Sequence, residues 1–310
     1  MSRTAILTAA LALACGSTAS ARTAAQAAPI AVPDLPRPSP GIPAPAPMQY
    51  LYGSGEAAAN TRAIWRGLVD YVRANRRNPR SVVLADGASL DAPRWSDCGK
   101  RPQAVIFDVD ETVLLNAGFE YDAAMGAPYS DKRWQEWEYH GTNKPVATPG
   151  AVAALNQLRA IGVRVIFNSN RLTAFADRSK IAIEQAGLGT ADYQSDPTRW
   201  ADQTLYLAEG TGEDQKKKDA RRAAVAAHYC VVAMGGDQLG DFSDLFNTGR
   251  KPQDRRALAD LPGIADLWGA GWFVFPNPVY GSALKGTAQD VFPVSVRWPD
   301  TPADTAQEKK

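Results

Sequence analysis

Five short apolar runs are spread along the sequence, and helical periodicity occurs in most of the intervals between them. The runs are 104–107, 163–167, 204–207, 230–234 and 272–275. They are too short for helices and suit buried strands. Helices are predicted at 53–74, 149–162, 173–186, 215–228 and 252–261. This alternation predicts an α/β fold with a Rossmann-like parallel sheet and helices on both faces.

Local signals define some boundaries of these elements. Ser54 is predicted to cap the first helix, and Pro149 is predicted to occupy the first position of the second. A further short strand is predicted at 81–85. Residues 117–148 are polar and aromatic without clear alternation, and we interpret them as a small cap inserted over the site.

The N-terminal residues have the pattern of an export signal. Arg3 precedes an apolar run at 5–14, which is too short to span a membrane, and small residues follow it. Cleavage near Ala21 would make 1–21 the signal segment. The residues around Cys15 instead resemble a lipobox, in which that cysteine becomes a lipid anchor. Both alternatives remain open, and both predict an exported protein of the periplasm or outer membrane.

Composition divides the rest of the chain. Eight of the 22 prolines lie within 29–47, so residues 22–48 are predicted to form an extended linker. The folded domain is predicted at 49–298, and the polar tail at 299–310 is predicted to be disordered. A net charge of +1 gives no electrostatic basis for binding a nucleic acid polymer. The oligomeric state is open, with a homodimer as one alternative.

Polar and charged residues follow three of the predicted strands. They are Asp108, Asp110 and Glu111 after the first, Ser169, Asn170 and Arg171 after the second, and Asp237 and Asp241 after the fourth. Three lysines at 216–218 precede the fourth strand. Parallel strands present their carboxyl ends at one edge of the sheet, so these residues should converge. The carboxylates suit a hard cation, and the hydroxyl and ammonium groups suit a tetrahedral oxyanion.

Several segments carry a family resemblance. Residues 107–114 (FDVDETVL), 166–171 (IFNSNR) and 236–242 (GDQLGDF) resemble the first, second and fourth motifs of haloacid dehalogenase superfamily phosphatases. Together with 276–281 (PNPVYG), they resemble more narrowly the class C bacterial acid phosphatases, which include outer-membrane lipoprotein 5'-nucleotidases. The order and spacing of the motifs match as well. The resemblance implies a haloacid dehalogenase-like fold.

The resemblance also implies an activity and its residues. A Mg²⁺-dependent acid phosphatase would hydrolyse phosphomonoesters, nucleoside 5'-monophosphates in particular, through an aspartyl-phosphate on Asp108. Asp110 would protonate the leaving oxygen and then activate water. Mg²⁺ would be bound by Asp108, Asp237, the backbone carbonyl of Asp110 and, through water, Asp241. The residues implied to bind phosphate are Thr112, Ser169, Asn170 and Lys218, with Lys217 as an alternative to Lys218.

Substrate recognition and one covalent link follow from the same resemblance. Tyr280 matches the tyrosine that stacks on a nucleobase, and Trp134 and Trp137 are candidates for the opposite face. The spacing of these two tryptophans equally suits packing on one side of a cap helix. The family's strand order brings Cys98 near Cys230, as a disulfide or as two buried thiols. The alternative function is a surface lipoprotein that binds haem or a nucleotide without turnover.

Overall fold

A computed structural model describes residues 41–209, 217–247 and 251–298. The predicted signal segment, most of the predicted linker and the predicted tail lie outside these residues. The described helices are α1 (Ala46–Met48), α2 (Gly55–Asn75), α3 (Ala117–Ala124), α4 (Asp131–His140), α5 (Ala151–Ala160), α6 (Ala176–Gln185), α7 (Asp219–His228), α8 (Pro252–Ala259) and α9 (Ala288–Val291). Within the described ranges, no helix is both long and apolar enough to cross a membrane.

The strands form one main sheet and one small one. They are β1 (Gln103–Phe107), β2 (Leu114–Leu115), β3 (Val146–Ala147), β4 (Arg164–Leu172), β5 (Leu205–Ala208), β6 (Cys230–Gly236) and β7 (Trp272–Val274). The main sheet has the order β5-β4-β1-β6-β7, and every neighbouring pair is parallel. The predicted parallel sheet is therefore confirmed. Because β4 and β6 flank β1, the polar residues that follow these three strands meet at one edge.

Helices cover both faces of the main sheet, as predicted. Val105 and Phe107 belong to a buried cluster that includes residues of α2, α5 and α6. The alternate residues Ala104 and Ile106 belong to a second buried cluster, which includes residues of α7. Successive side chains of a strand point to opposite faces, so these clusters lie on opposite sides of β1. The ring of Trp65 in α2 lies 5.0 Å from that of Phe107 within the first cluster.

Two strand predictions are wrong in detail. The strand predicted at 163–167 extends further, and β4 ends at Leu172, because its pairing with β5 resumes after a register shift. No strand forms at 81–85, where Leu84 makes an isolated antiparallel bridge to Trp95. The apolar side chains of this segment are buried against the sheet in an irregular conformation.

Local sequence signals predicted the start of one helix correctly and the starts of two others incorrectly. Ser54 caps α2 as predicted, and its hydroxyl accepts a backbone N–H of the first turn at 3.0 Å. Gly150, with φ of 99°, precedes the first residue of α5, so the prediction that Pro149 opens this helix is wrong. The prediction of a helix over 215–228 is also wrong at its start, because α7 begins only after Lys218.

The interval 117–148 contains α3, α4 and β3. A helix carrying Trp134 and Trp137 was one of the alternatives that the sequence left open, whereas α3 and β3 were not predicted. β3 pairs with β2 in antiparallel fashion, and this small sheet joins the interval to the end of the first motif. The ring of Phe119 in α3 lies 5.1 Å from that of Trp134 and 6.2 Å from that of Trp137. These aromatic rings form a local core that is too small to impose a clear periodicity on the sequence.

A disulfide joins Cys98 to Cys230, with a Cα–Cα distance of 4.5 Å. The structure thus decides between the two sequence alternatives in favour of the bond. Cys230 is the first residue of β6, and Cys98 precedes the neighbouring strand β1. A bond across a sequence separation of 132 residues constrains the unfolded chain and typically stabilises the fold by about 2–4 kcal/mol.

Candidate active site

Three carboxylates converge where β1 and β6 end. Asp108, Asp237 and Asp241 each place one oxygen within 4.8 Å of the others. Gly236 permits this approach, because an added Cβ would lie 2.3 Å from the Cβ of Asp241. The Thr112 hydroxyl lies 3.3 Å from Asp108 Oδ2 and 3.1 Å from Asp237 Oδ1. Carboxylate oxygens grouped in this way fit a hard divalent cation.

The charge balance of this cluster supports the same fit. Burial and the nearby Asp241 carboxylate raise the pKa of Asp237 to about 7. Hydrogen bonds from Asn277 (2.8 Å) and Gln238 (2.9 Å) to Asp237 Oδ2 oppose this rise. A bound divalent cation would favour the ionised carboxylates by cancelling their mutual repulsion.

Lys218 supplies a buried ammonium group to the carboxylate cluster. Its Nζ contacts Asp108 Oδ1 and lies 2.8 Å from Asp241 Oδ1. Burial alone would lower the pKa of Lys218, but the two carboxylates outweigh it and raise that pKa, which keeps the ammonium charged. Lys217 is exposed. The geometry therefore favours Lys218 over Lys217 as the lysine that faces the cluster.

A buried network fixes the segment that carries Lys218. Asp244 accepts the backbone N–H groups of Lys218 at 2.8 Å and of Asp219 at 2.7 Å. In return, Asp219 accepts the backbone N–H of Asp244 at 3.0 Å. The Arg222 guanidinium donates to the Asp241 carbonyl at 2.9 Å. These bonds tie the start of α7 to the loop after β6. The sequence analysis missed them, since no local pattern marks residues that act across two loops.

Asp110 is bound by a different set of residues. Arg171 donates to its carboxylate through Nε at 3.1 Å and Nη2 at 2.7 Å, and Asn116 Nδ2 donates at 2.8 Å. Ser169 Oγ lies 3.5 Å from Asp110 Oδ2 and accepts the backbone N–H of Arg171. Asn170 instead accepts a hydrogen bond at 2.6 Å from a guanidinium of α7. The end of β4 thus places its hydroxyl and guanidinium groups beside Asp110.

Glu111 is buried next to Asp110. The sequence groups it with the carboxylates that suit a cation, but in the structure it is not part of the cluster of Asp108, Asp237 and Asp241. Its φ of 56° is a backbone conformation that residues other than glycine rarely adopt. The Tyr52 hydroxyl donates to Glu111 Oε1 at 3.2 Å, and the Tyr280 hydroxyl donates to Oε2. Burial and then the Asp110 charge raise the pKa of Glu111 to about 7. Glu111 therefore ties two tyrosines that are distant in the sequence to the segment that follows β1.

Trp134 and Trp137, the tryptophans that are predicted to contact substrate, are half-buried residues of α4. The indole N–H of Trp137 donates to Asn116 Oδ1 at 3.0 Å, and that of Trp134 donates to Glu138 Oε1 at 3.0 Å. The Arg171 guanidinium lies 5.8 Å from the centre of the Trp134 ring. Both rings thus contact the residues around Asp110, and their contact with substrate stays a prediction.

The chain matches a known family over most of its length. A sequence profile described as HAD superfamily, subfamily IIIB (Acid phosphatase) matches residues 58–283. The chain belongs to this family. In its fold, the phosphatase is similar to the class C acid phosphatase from Bacillus anthracis, with 21% identity, a TM-score of 0.59 and coverage of 85% of this chain and 92% of that one.

A second solved structure gives the same result. The class C acid phosphatase from Bacillus anthracis with tungstate bound matches the phosphatase at 20% identity and a TM-score of 0.58, over 85% of this chain and 93% of that one. No curated protein matches the chain. The predicted family and fold class are confirmed. As an acid phosphatase of this family, the enzyme is a phosphomonoesterase, and the converging residues from Asp108 to Tyr280 lie within the matched range.

A buried carboxyl group in α4 should make the phosphatase less stable as the pH rises. Glu138 is 2% exposed, and burial raises its pKa from 4.5 to about 7. Between these values the folded chain binds a proton that the unfolded chain releases, so the free energy of unfolding falls with increasing pH. We expect Glu138→Gln to reduce this fall by roughly 1–3 kcal/mol between pH 5 and pH 7.5.

Urea denaturation of both proteins at the two pH values measures this effect. The control is Glu136→Gln, because Glu136 is an exposed carboxylate of the same helix. An unchanged pH dependence in Glu138→Gln would show that the buried carboxyl does not set it.

Proposed function

We propose that this acid phosphatase uses Mg²⁺ to hydrolyse phosphomonoesters, nucleoside 5'-monophosphates among them, through an aspartyl-phosphate on Asp108. One observation carries the proposal: Asp108, Asp237 and Asp241 converge within 4.8 Å, and the Lys218 ammonium contacts two of them. This arrangement combines oxygen ligands for a cation with a positive group for phosphate oxygens.

The proposed Mg²⁺ ligands are the carboxylates of Asp108 and Asp237, the backbone carbonyl of Asp110 and, through water, Asp241. When bound, the ion would neutralise negative charge on the phosphoryl group and orient it toward Asp108. The cluster of three carboxylates supports this ligand set. The Asp110 carboxylate, which is paired with Arg171, is left for proton transfer.

In the first step, an Asp108 carboxylate oxygen bonds to phosphorus while the bond from phosphorus to the leaving oxygen breaks. The product is an aspartyl-phosphate. Lys218 is proposed to hold phosphate oxygens through its ammonium group, which already lies against Asp108. The other proposed phosphate ligands are Thr112, Ser169 and Asn170. Tungstate, a tetrahedral oxyanion, is bound in the Bacillus anthracis relative, which supports an oxyanion site in this fold.

Asp110 is proposed to move the protons of both steps. It first donates a proton to the leaving oxygen and so becomes ionised. It then takes a proton from a water molecule as the water oxygen bonds to phosphorus and the bond to Asp108 breaks. Inorganic phosphate is released, and Asp108 and the protonated Asp110 are restored. The hydrogen bonds from Arg171 and Asn116 support this role, because they fix the direction of the carboxyl group.

Recognition of a nucleobase is proposed for Tyr280, with Trp134 and Trp137 on the side of the cap. The Tyr280 side chain is 36% exposed, while its hydroxyl is bound by Glu111. A ring that is fixed at its hydroxyl and open to solvent offers a stacking surface, and such stacking is worth about 1–3 kcal/mol per base.

We further propose that the enzyme is exported to the periplasm or outer membrane, either after cleavage near Ala21 or with a lipid anchor on Cys15. The apolar run at 5–14 and the disulfide support export, since disulfides persist in oxidising compartments. Mass spectrometry of the mature N-terminus tests this: an acylated Cys15 or a terminus near Ala21 fits, whereas an unprocessed terminus contradicts export through a cleaved signal.

Removal of divalent cations should stop turnover. We expect a chelator to lower phosphate release from a nucleoside 5'-monophosphate by about 100-fold or more, and added Mg²⁺ to restore it. Asp237→Asn should need more Mg²⁺ for half-maximal activity than the wild type. The control is Asp70→Asn, because Asp70 is an exposed residue of α2. Full activity in chelator would contradict the metal requirement, and no turnover by folded, Mg²⁺-loaded enzyme would favour a binding protein.

A further inference from the structure

Asn116 connects the cap to the residues around Asp110, and both the nitrogen and the oxygen of its side-chain amide form hydrogen bonds. It directly precedes α3, and it is completely buried. Its Nδ2 donates to Asp110 Oδ1 at 2.8 Å and lies 3.3 Å from both carboxylate oxygens of Glu111. Its Oδ1 accepts from the indole N–H of Trp137 at 3.0 Å and from Arg171 Nη2 at 3.1 Å.

These partners define the orientation of the amide. Its NH₂ end faces two carboxylates, and its carbonyl end faces an indole N–H and a guanidinium. A flipped amide would place donors against donors and acceptors against acceptors. A carboxylate at this position would repel Asp110 and Glu111, and an apolar group would leave buried donors without acceptors. Only an amide satisfies both sides of Asn116 at once.

The side chain of Trp137, which is the cap partner of Asn116, is itself held in place by close packing. The Trp137 ring lies between Gly118 and Gly141, where an added Cβ would approach ring atoms to 2.8 Å and 2.4 Å. Both contacts are too close for any residue with a Cβ, so the two glycines form a slot that holds the indole. A displacement of α4 would therefore carry the indole N–H away from Asn116.

We infer that Asn116 is a positioning residue that couples the placement of α4, through the Trp137 indole, to the direction of the Asp110 carboxyl. The inference rests on the proposed function of Asp110 as the proton donor, and it adds the cap as the element that sets its geometry. Substrate binding under the cap would then align the acid at the same time as it covers the phosphoryl group.

A misaligned acid has a specific kinetic signature. Alkyl phosphates lose a strongly basic alkoxide and need the proton, whereas p-nitrophenyl phosphate loses a stable phenolate and needs it much less. Damage to the positioning of Asp110 should therefore reduce kcat/KM, which reports the steps up to loss of the leaving group, more for an alkyl phosphate than for p-nitrophenyl phosphate. A general loss of structure would reduce both alike.

The test compares kcat/KM for glycerol 3-phosphate, which has no nucleobase to stack, with kcat/KM for p-nitrophenyl phosphate, because hydrolysis of the common aspartyl-phosphate affects kcat but not kcat/KM. We expect Asn116→Ser to lower the first by about 10- to 100-fold and the second by less than about threefold. Trp137→Phe keeps an aromatic ring but removes the pyrrole part of the indole together with its N–H, and it should shift the ratio in the same direction by about 3- to 10-fold. Asn75→Ser at the end of α2 is the matched control and should leave the ratio unchanged.

A double variant tests whether the effect of Trp137 passes through Asn116. Trp137→Phe should cause no further loss of the ratio in the Asn116→Ser background, because the shared hydrogen bond is already absent. Independent losses that multiply would overturn the coupling. An equal reduction for both substrates in Asn116→Ser would overturn the positioning role.

Asp110→Asn separates failure of the inference from failure of the proposed function. Like Asn116→Ser, it should lower activity toward glycerol 3-phosphate more than activity toward p-nitrophenyl phosphate, and by a larger factor. If Asp110→Asn shows the selective loss and Asn116→Ser does not, the positioning role is wrong and the acid role stands. If Asp110→Asn also spares glycerol 3-phosphate, the proposed acid role is wrong and the inference falls with it.

Discussion

Replacement of Asp108 with asparagine should lower phosphate release by about 10⁴-fold or more, since loss of a nucleophile removes the covalent route itself. Asparagine has nearly the same shape as aspartate, but its neutral amide is a far weaker nucleophile. Asp108 is 8% exposed and lies against Lys218 in the folded state. The measurement is steady-state release of phosphate from a nucleoside 5'-monophosphate and from p-nitrophenyl phosphate, which should be lost together.

The same variant also removes a proposed cation ligand, so the two roles of Asp108 have to be separated. A Mg²⁺ titration does this, because no concentration of the ion restores a missing nucleophile. Asp70→Asn controls for the change of charge alone. Recovery of turnover at high Mg²⁺ in Asp108→Asn would contradict the nucleophile assignment and leave Asp108 as a metal ligand.

Replacement of Lys218 with methionine should have the second largest effect. The ammonium is buried between Asp108 and Asp241, where a fixed charge stabilises a developing oxyanion far more than it would in water. Loss of one such preorganised donor typically costs about 10²- to 10³-fold in kcat. Methionine retains most of the length and the apolar part of lysine, so the variant should keep the packing of this segment.

Lys217→Met is the matched control, since it is the same substitution one residue earlier at an exposed position. It should retain activity within about threefold of the wild type. Equal losses in both variants would point to a general effect of positive charge near the site. A large loss confined to Lys217→Met would mean that the wrong lysine had been assigned to the phosphate.

The sheet was predictable because its strands are buried on both sides and therefore read as short continuous apolar runs. β1 and β6 illustrate this, since almost all of their residues are buried. β4 was predicted too short because residues 168–171, directly before its last residue, are polar residues of the site that remain in the extended conformation. The need to place functional groups at the end of a strand overrides the apolar pattern there.

The carboxylates of the site were predictable for a different reason. Asp108 and Asp237 follow strands that are adjacent in the sheet, so strand order alone brings them together. Lys218 could not be distinguished from Lys217 in the same way, because its placement depends on Asp244, which lies 26 residues later and binds its backbone N–H. Asn116 and the tyrosine partners of Glu111 were not predicted, because the contacts to Trp137, Tyr52 and Tyr280 join segments that are far apart in the sequence.

A search for a phosphoryl group bound to the enzyme is the most direct test of the proposed aspartyl-phosphate. Wild-type enzyme with Mg²⁺ is mixed with a phosphate-labelled nucleoside 5'-monophosphate, quenched in acid within the first turnover, and digested for mass spectrometry. We expect a label that hydroxylamine removes, on the peptide that contains Asp108, and no label in Asp108→Asn. Full turnover without any labelled peptide, or a label that persists in Asp108→Asn, would contradict the proposed aspartyl-phosphate.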